Sequence, residues 1–204
     1  MRRRLGAKTA AALALWTLGV FALAARGALR GRGGIAAAWP IPEFQLTAVD
    51  AQGERALGRK DLLGRPWVAN FVFTNCDGPC PMLMAGMSEL QDTLPEAFRL
   101  VSFTVDPDRD DAAALRRYGA AFGAQAGRWI FLRGSKATLY KVIFEGFKQA
   151  VLEDPKAPSG SRVVHSTRFA LVDKDGVVRG VYEQDDLESL RRHAGRLLKE
   201  ASHG

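Results

Sequence analysis

Seven consecutive residues, Trp67–Phe73 (WVANFVF), carry no charge and only one polar side chain, and both cysteines of the chain follow within the next seven positions. An apolar stretch of this length, rich in aromatic and β-branched residues, reads as a strand covered on both faces. A chain built around such a strand needs layers on either side of its sheet. Pro81 then opens a helical segment that runs to about Leu94, with the proline in the first turn, where a missing N–H costs little. Cys76 and Cys80 therefore stand where a buried strand gives way to a helix.

The remaining pattern extends that unit. Phe44–Val49 reads as a strand ending in the turn Asp50–Gly53, and Phe98–Val105 and Trp129–Leu132 read as further strands. Helices are expected from about Asp110 to Phe122, from Ser135 (a candidate cap) to Phe147, and from about Asp185 to Lys199. Residues 149–162 are polar and turn-rich. Phe169–Asp173 and Val177–Tyr182 form a hairpin about Asp175-Gly176. The order predicts an α/β fold, a thioredoxin-like mixed β-sheet flanked by helices, occupying residues 43–204.

The 204 residues are 47% hydrophobic and 25% charged, the balance of a globular protein. The formal charge of +7 resembles a nucleic-acid signal until it is located. Arg2, Arg3, Arg4, Lys8, Arg26, Arg30 and Arg32 hold the whole excess, and residues 33–204 carry 22 charges of each sign. A body without net charge is a poor polyanion binder, so no nucleic-acid partner is expected.

The basic residues bracket an uncharged run, residues 9–25. As a helix it would span about 25 Å, near the lower limit for crossing a bilayer. Residues 1–8 then form a basic cytoplasmic tail, 9–25 a transmembrane anchor or signal segment, and 26–42 a linker rich in Gly and small residues. Ala22-Leu23-Ala24 is a plausible cleavage triplet, and Arg26 just beyond it disfavours cleavage. No cysteine follows the run, which excludes a lipid-anchored cysteine. Eight residues are too few for a mitochondrial presequence. The expectation is a single-pass protein of the bacterial inner membrane, its domain facing the periplasm.

The chemistry centres on the cysteines. A helix N-terminus offers unpaired N–H groups and a positive dipole end, which stabilise a thiolate. With three residues between them the sulfurs can close a disulfide or grip one soft metal ion. A purely structural disulfide would be a weak staple, because so short a loop constrains the unfolded chain little. His193, in the last helix, and His203, in the tail, read as solvated. His165 ends the polar loop, and in a thioredoxin-like fold the segment entering the hairpin faces the cysteine pair. Two thiolates and one imidazole suit Cu(I) and can serve Cu(II), whereas zinc would need a fourth ligand.

At these residues the chain resembles the Sco/SenC family, copper chaperones of respiratory oxidases. The resemblance spans most of residues 41–200 and is carried by FVFTNCDGPCP, by FTVDPDRDDAAALRRYG and by VVHSTRFALVDKDGVV. It implies that Cys76, Cys80 and His165 are copper ligands. It also implies a respiratory oxidase copper subunit (cytochrome c oxidase) as recipient and a separate copper donor protein. The chain departs from the family where many members place Pro directly after the first cysteine and Asp before the histidine. Here Asp77-Gly78-Pro79 and Val164 stand instead.

Two other functions compete. A thiol–disulfide oxidoreductase would use Cys76 and Cys80 as its catalytic, redox-active pair, attacking through a mixed disulfide. Dedicated enzymes of that type use C-x-x-C with a proline in the facing loop, and residues 163–167 contain none. A peroxidase would place Thr or Ser three residues before its cysteine, whereas Thr74 lies two before Cys76. The acidic run Asp106–Asp111 is no EF-hand, since Asp111 and Arg117 occupy positions that need Gly and Glu. It reads as a solvated, helix-capping turn.

Overall fold

The computed structural model describes residues 35–154, 156, 158 and 163–201. The anchor or signal segment expected at residues 9–25 and the tail residue His203 lie outside them. Among the described residues no helix is long and apolar enough to cross a membrane.

The buried run forms β4 (Trp67–Val72), every residue of which is buried. It pairs in parallel with β5 (Arg99–Thr104) and antiparallel with β9 (Arg168–Val172). On one side β6 (Trp129–Arg133), β2 (Gln45–Asp50) and β3 (Gly53–Gly58) continue the sheet beyond β5. On the other, β10 (Val177–Glu183) and β1 (Ile35–Pro40) continue it beyond β9. The eight strands run in the order β1-β10-β9-β4-β5-β6-β2-β3. A central strand covered on both faces tolerates almost no polar residue, and in β4 only Asn70 is polar.

Two layers cover it. Helices α1 (Cys80–Thr93), α2 (Ala112–Ala121) and α4 (Leu187–Ala201) lie on one face. Contact there is close: an added Cβ on Gly86 of α1 would meet the Phe169 ring at 2.8 Å. The other face holds an aromatic cluster in which the Phe147 ring lies 5.1 Å from Phe71, 5.3 Å from Phe103 and 5.9 Å from Trp67. Phe147 follows α3 (Lys136–Lys141), which Ser135 caps through the Thr138 N–H at 3.1 Å. The thioredoxin-like α/β sheet with helices on both faces is thus present.

Four readings need correction. Residues 35–40, assigned to a linker, form the edge strand β1: Ile41 just beyond is buried, and the Trp39 indole N–H donates to the Gly146 carbonyl at 2.8 Å. Small residues disguised this strand, which draws its stability from pairing with β10. Residues 53–58, left unassigned, pair with β2 as β3. The helix through Phe147 keeps α geometry only to Lys141 and widens into a π turn at Val142–Gly146. Within the polar segment, β7 (Val151–Glu153) pairs with β8 (Val163–His165), so His165 ends a strand instead of lying in a loop.

Candidate metal centre

Three elements converge at the carboxyl end of β4. Phe73, Thr74 and Asn75 lead out of the strand to Cys76, Cys80 is the first residue of α1, and His165 is the last of β8. Cys76 and His165 are half-buried and Cys80 is wholly buried. The two Sγ atoms and a ring nitrogen of His165 all lie within 4.8 Å of one another. Both cysteines are free thiols.

His165 is oriented by its own loop. Nδ1 lies 2.9 Å from the Ser166 carbonyl oxygen, and Nε2 lies 3.3 Å from Cys80 Sγ. A carbonyl can only accept, so Nδ1 donates to it and Nε2 is the ring nitrogen turned toward the sulfurs. Phe73 sets the plane of the ring by edge contact, with centroids 5.7 Å apart at 82°.

The thiols are not equivalent. Pro79, the N-cap of α1, makes no side-chain capping bond, so the first N–H groups of the helix seek another acceptor. Cys76 supplies it. Burial alone would raise the Cys76 thiol, but hydrogen bonds from the His165 and Cys80 side chains and from the Cys80 and Gly78 backbones outweigh it and bring the pKa down to about 7. Cys80 moves the other way: burial, then the hydrogen bond with Cys76, push it well above the usual thiol value. Cys80 therefore keeps the shared proton and Cys76 carries the thiolate.

Asp110 supports the cysteine turn, and sequence reasoning did not single it out. Wholly buried, its carboxylate accepts from the Thr74 N–H at 3.1 Å, the Thr74 hydroxyl at 2.6 Å and the Thr104 hydroxyl at 2.5 Å. These bonds fix the backbone two residues before Cys76. The run Asp106–Asp111 is accordingly not solvated throughout: Asp106 and Asp110 are buried. The capping half of that reading is present in Asp111, which accepts from the Ala114 N–H at 2.7 Å. The available signal was a hydroxyl near the end of each of two adjacent strands, Thr74 and Thr104, ahead of a nearby acid. His193 is likewise not a solvated bystander, being half-buried and bonded through Nδ1 to the Tyr182 hydroxyl.

A soft donor set, buried on one side and half-open on the other, fits one thiophilic ion whose site a second molecule can reach.

The profile of one family, SCO1/SenC, matches residues 37–199. A curated relative, the SCO1 protein homolog of Bacillus subtilis (strain 168), is 34% identical over 132 residues, covering 62% of this chain and 66% of its own length. The chain spans 54–66% of the curated relatives it matches. A SCO1/SenC family lipoprotein of Bacillus anthracis str. Ames superposes with TM-score 0.69 at 34% identity, over 78% of this chain and 95% of its own. BsSco, described as a Sco-family cytochrome c oxidase assembly protein with a disulfide switch, superposes with TM-score 0.63 at 29% identity, over 79% and 97%. Copper-bound structures at 24% identity or less share the fold.

Proposed function

The chain belongs to the SCO1/SenC family, and from that membership we propose that it is a copper-binding protein of cytochrome c oxidase assembly, its copper held by Cys76, Cys80 and His165. The observation that carries the reading is the convergence of two sulfurs and an imidazole nitrogen within 4.8 Å, with Nε2 already freed for a ligand by the bond at Nδ1. Copper is the cargo. Cu(I) takes two thiolates and one imidazole without a fourth ligand, and its binding releases the proton that Cys80 retains. Cu(II) is the second state this donor set can serve, and copper-bound family members support the choice of metal.

The half-open side of the centre suits transfer to a respiratory oxidase copper subunit and loading by a copper donor protein. Residues 9–25 would tether residues 43–204 to the bacterial inner membrane, single-pass and on the periplasmic side, with 1–8 in the cytoplasm. Transfer tests this directly. The reduced, Cu(I)-loaded protein is mixed anaerobically with the metal-free, reduced copper domain of a cytochrome c oxidase subunit, the two are separated, and the recipient's binuclear copper absorption is read after one-electron oxidation with ferricyanide. Growth of that absorption supports delivery; copper that stays on the donor contradicts it.

A second reading rests on the unequal thiols. A half-exposed Cys76 with a pKa of about 7 beside a protonated, buried Cys80 is the arrangement of a nucleophile and its resolving partner. The Cys76 thiolate would attack a disulfide of the partner and expel one of its sulfurs as thiolate. Cys80 would then displace the partner, leaving Cys76–Cys80 oxidised and the partner reduced. Such a step could prepare the same recipient for metal.

A further inference from the structure

The π turn that follows α3 leads into Lys148 at φ 56°, the only non-glycine residue with a positive φ among the described residues. The Lys148 N–H donates to the Phe144 carbonyl at 3.1 Å and the Gln149 N–H to the Ile143 carbonyl at 3.2 Å, which closes the helix end. A left-handed residue at such a closure is usually glycine, because a Cβ there crowds the backbone. The backbone alone therefore favours glycine at 148, and the lysine side chain needs another reason. The surroundings supply two. Lys148 is exposed and lines a groove of about 420 Å³ together with Gln149, Leu152, His165, Arg168 and Glu183, so the groove runs against one of the three candidate metal ligands. Its charges are also unequal. Arg168 Nε donates to Glu183 Oε1 at 2.6 Å, and these two offset each other. The Lys148 ammonium, by contrast, bonds among the described residues only to the Glu145 backbone carbonyl, at 2.7 Å. A cation without a carboxylate thus stands beside the metal centre, and Leu152, 65% exposed, offers an apolar contact in the same groove.

We propose that this groove docks an acidic segment of the protein that receives the metal, with Lys148 binding its carboxylate and Leu152 packing on an adjoining apolar side chain. This rests on the copper reading above. A carboxylate matches the charge left over in the groove through a charge-assisted hydrogen bond, which a neutral or basic segment does not. The strain at Lys148 is then kept for recognition: glycine would suit the backbone and lose the cation. A segment seated here lies against His165, so the recipient reaches the metal from the side of the imidazole. A lysine near a helix C-terminus also complements the helix dipole. That role alone makes the opposite prediction, a loss of stability without any effect on the recipient.

The test compares the full-length, reduced, Cu(I)-loaded protein with Lys148→Gly, which removes cation and strain, and with Lys148→Arg, which keeps the cation. The recipient is the metal-free, reduced copper domain of a cytochrome c oxidase subunit. Initial transfer rates are read at several salt concentrations, and Cu(I) affinity and melting temperature are recorded for each protein. Lys148→Gly should transfer about two- to fivefold more slowly at low salt, the worth of one exposed ion pair. Its rate should also depend less on salt than the parent's. It should keep the parent's Cu(I) affinity and lose no melting temperature, and Lys148→Arg should behave as the parent. Equal rates with the same salt dependence in Lys148→Gly and the parent overturn the proposal. Slowing that Lys148→Arg shares, or that a change in Cu(I) affinity accounts for, overturns it as well. If the parent delivers no copper, the copper reading fails separately, and the groove is judged without metal. A short peptide of glutamate and leucine is then titrated into the metal-free, reduced full-length protein and followed by nuclear magnetic resonance. Shifts of amides 148–152 and 165–168 that vanish in Lys148→Gly uphold an acidic-segment site, and their absence, or their persistence in the variant, overturns it.

Discussion

His165 Nε2 stands 3.3 Å from Cys80 Sγ across 85 positions of sequence. The contact exists because β8, in a separate two-stranded sheet, ends beside the carboxyl end of β4 where α1 begins, so the fold supplies a candidate third ligand that no local spacing could provide.

The difference between the two thiols should be visible in their reactivity. Cys76 is half-exposed with a pKa near 7, below the ordinary thiol value of 9.0, whereas burial raises Cys80. Above about pH 7 Cys76 is thiolate and alkylates readily; below it the protonated form is slow. Peptide mapping after brief iodoacetamide treatment should place the label on Cys76 with a midpoint near pH 7 and leave Cys80 unmodified until the protein unfolds. Equal labelling at both positions would show that the turn does not distinguish them.

Asp110 should matter to both stability and the site. Asp110→Ala leaves the Thr74 N–H and the Thr74 and Thr104 hydroxyls without their acceptor, at a cost of about 1–3 kcal/mol for each group left unpaired. Urea unfolding should therefore show a loss of about 2 kcal/mol or more, and copper affinity should fall because Thr74 no longer fixes the approach to Cys76. Asp110→Asn, which keeps one acceptor oxygen, should fall between.

The Tyr182–His193 bond ties β10 to α4. Burial, and then the positive fields of Arg196 and Arg179, lower the imidazole pKa below its ordinary 6.5. The unfolded chain then takes up the proton first, so stability present above pH 6.5 is lost as pH falls through the folded value. The melting temperature should drop on acidification through this range, and less so in His193→Gln, which accepts a bond without titrating. Parallel pH profiles in the two proteins would place the acid sensitivity elsewhere.

Gly86 allows α1 to lie against β9. A methyl group there would meet the Phe169 ring at 2.8 Å. Although alanine is the better helix former, Gly86→Ala should destabilise the domain by about 1–3 kcal/mol through overpacking. Adding Phe169→Leu should restore part of the loss. A stabilised Gly86→Ala would mean that the ring has room to move.

Much of this was legible in the sequence, where one residue's environment decided its type. The all-buried run of β4 betrayed itself by lacking polar residues, and the Asp175-Gly176 turn by its glycine at φ 77°. Elements that depend on a distant partner did not. β1 has three consecutive alanines and draws its strand character from β10, and β7 is three residues long and meaningful only beside β8. The candidate ligands divide in the same way. Cys76 and Cys80 announce themselves by spacing, whereas His165 needs an assumed fold to bring it near them. Asp110 lies inside the stretch FTVDPDRDDAAALRRYG, but its role is set by which nearby groups need an acceptor, which no spacing shows.

The most direct test is an anaerobic titration of Cu(I) into the reduced full-length protein against a competing chelator, beside His165→Ala. The account predicts tight one-to-one binding by the parent and a loss of tenfold or more in the variant, as removal of one of three ligands requires (at least about 1.4 kcal/mol). Binding that is weak, or equal in the two proteins, would contradict a copper centre built from Cys76, Cys80 and His165.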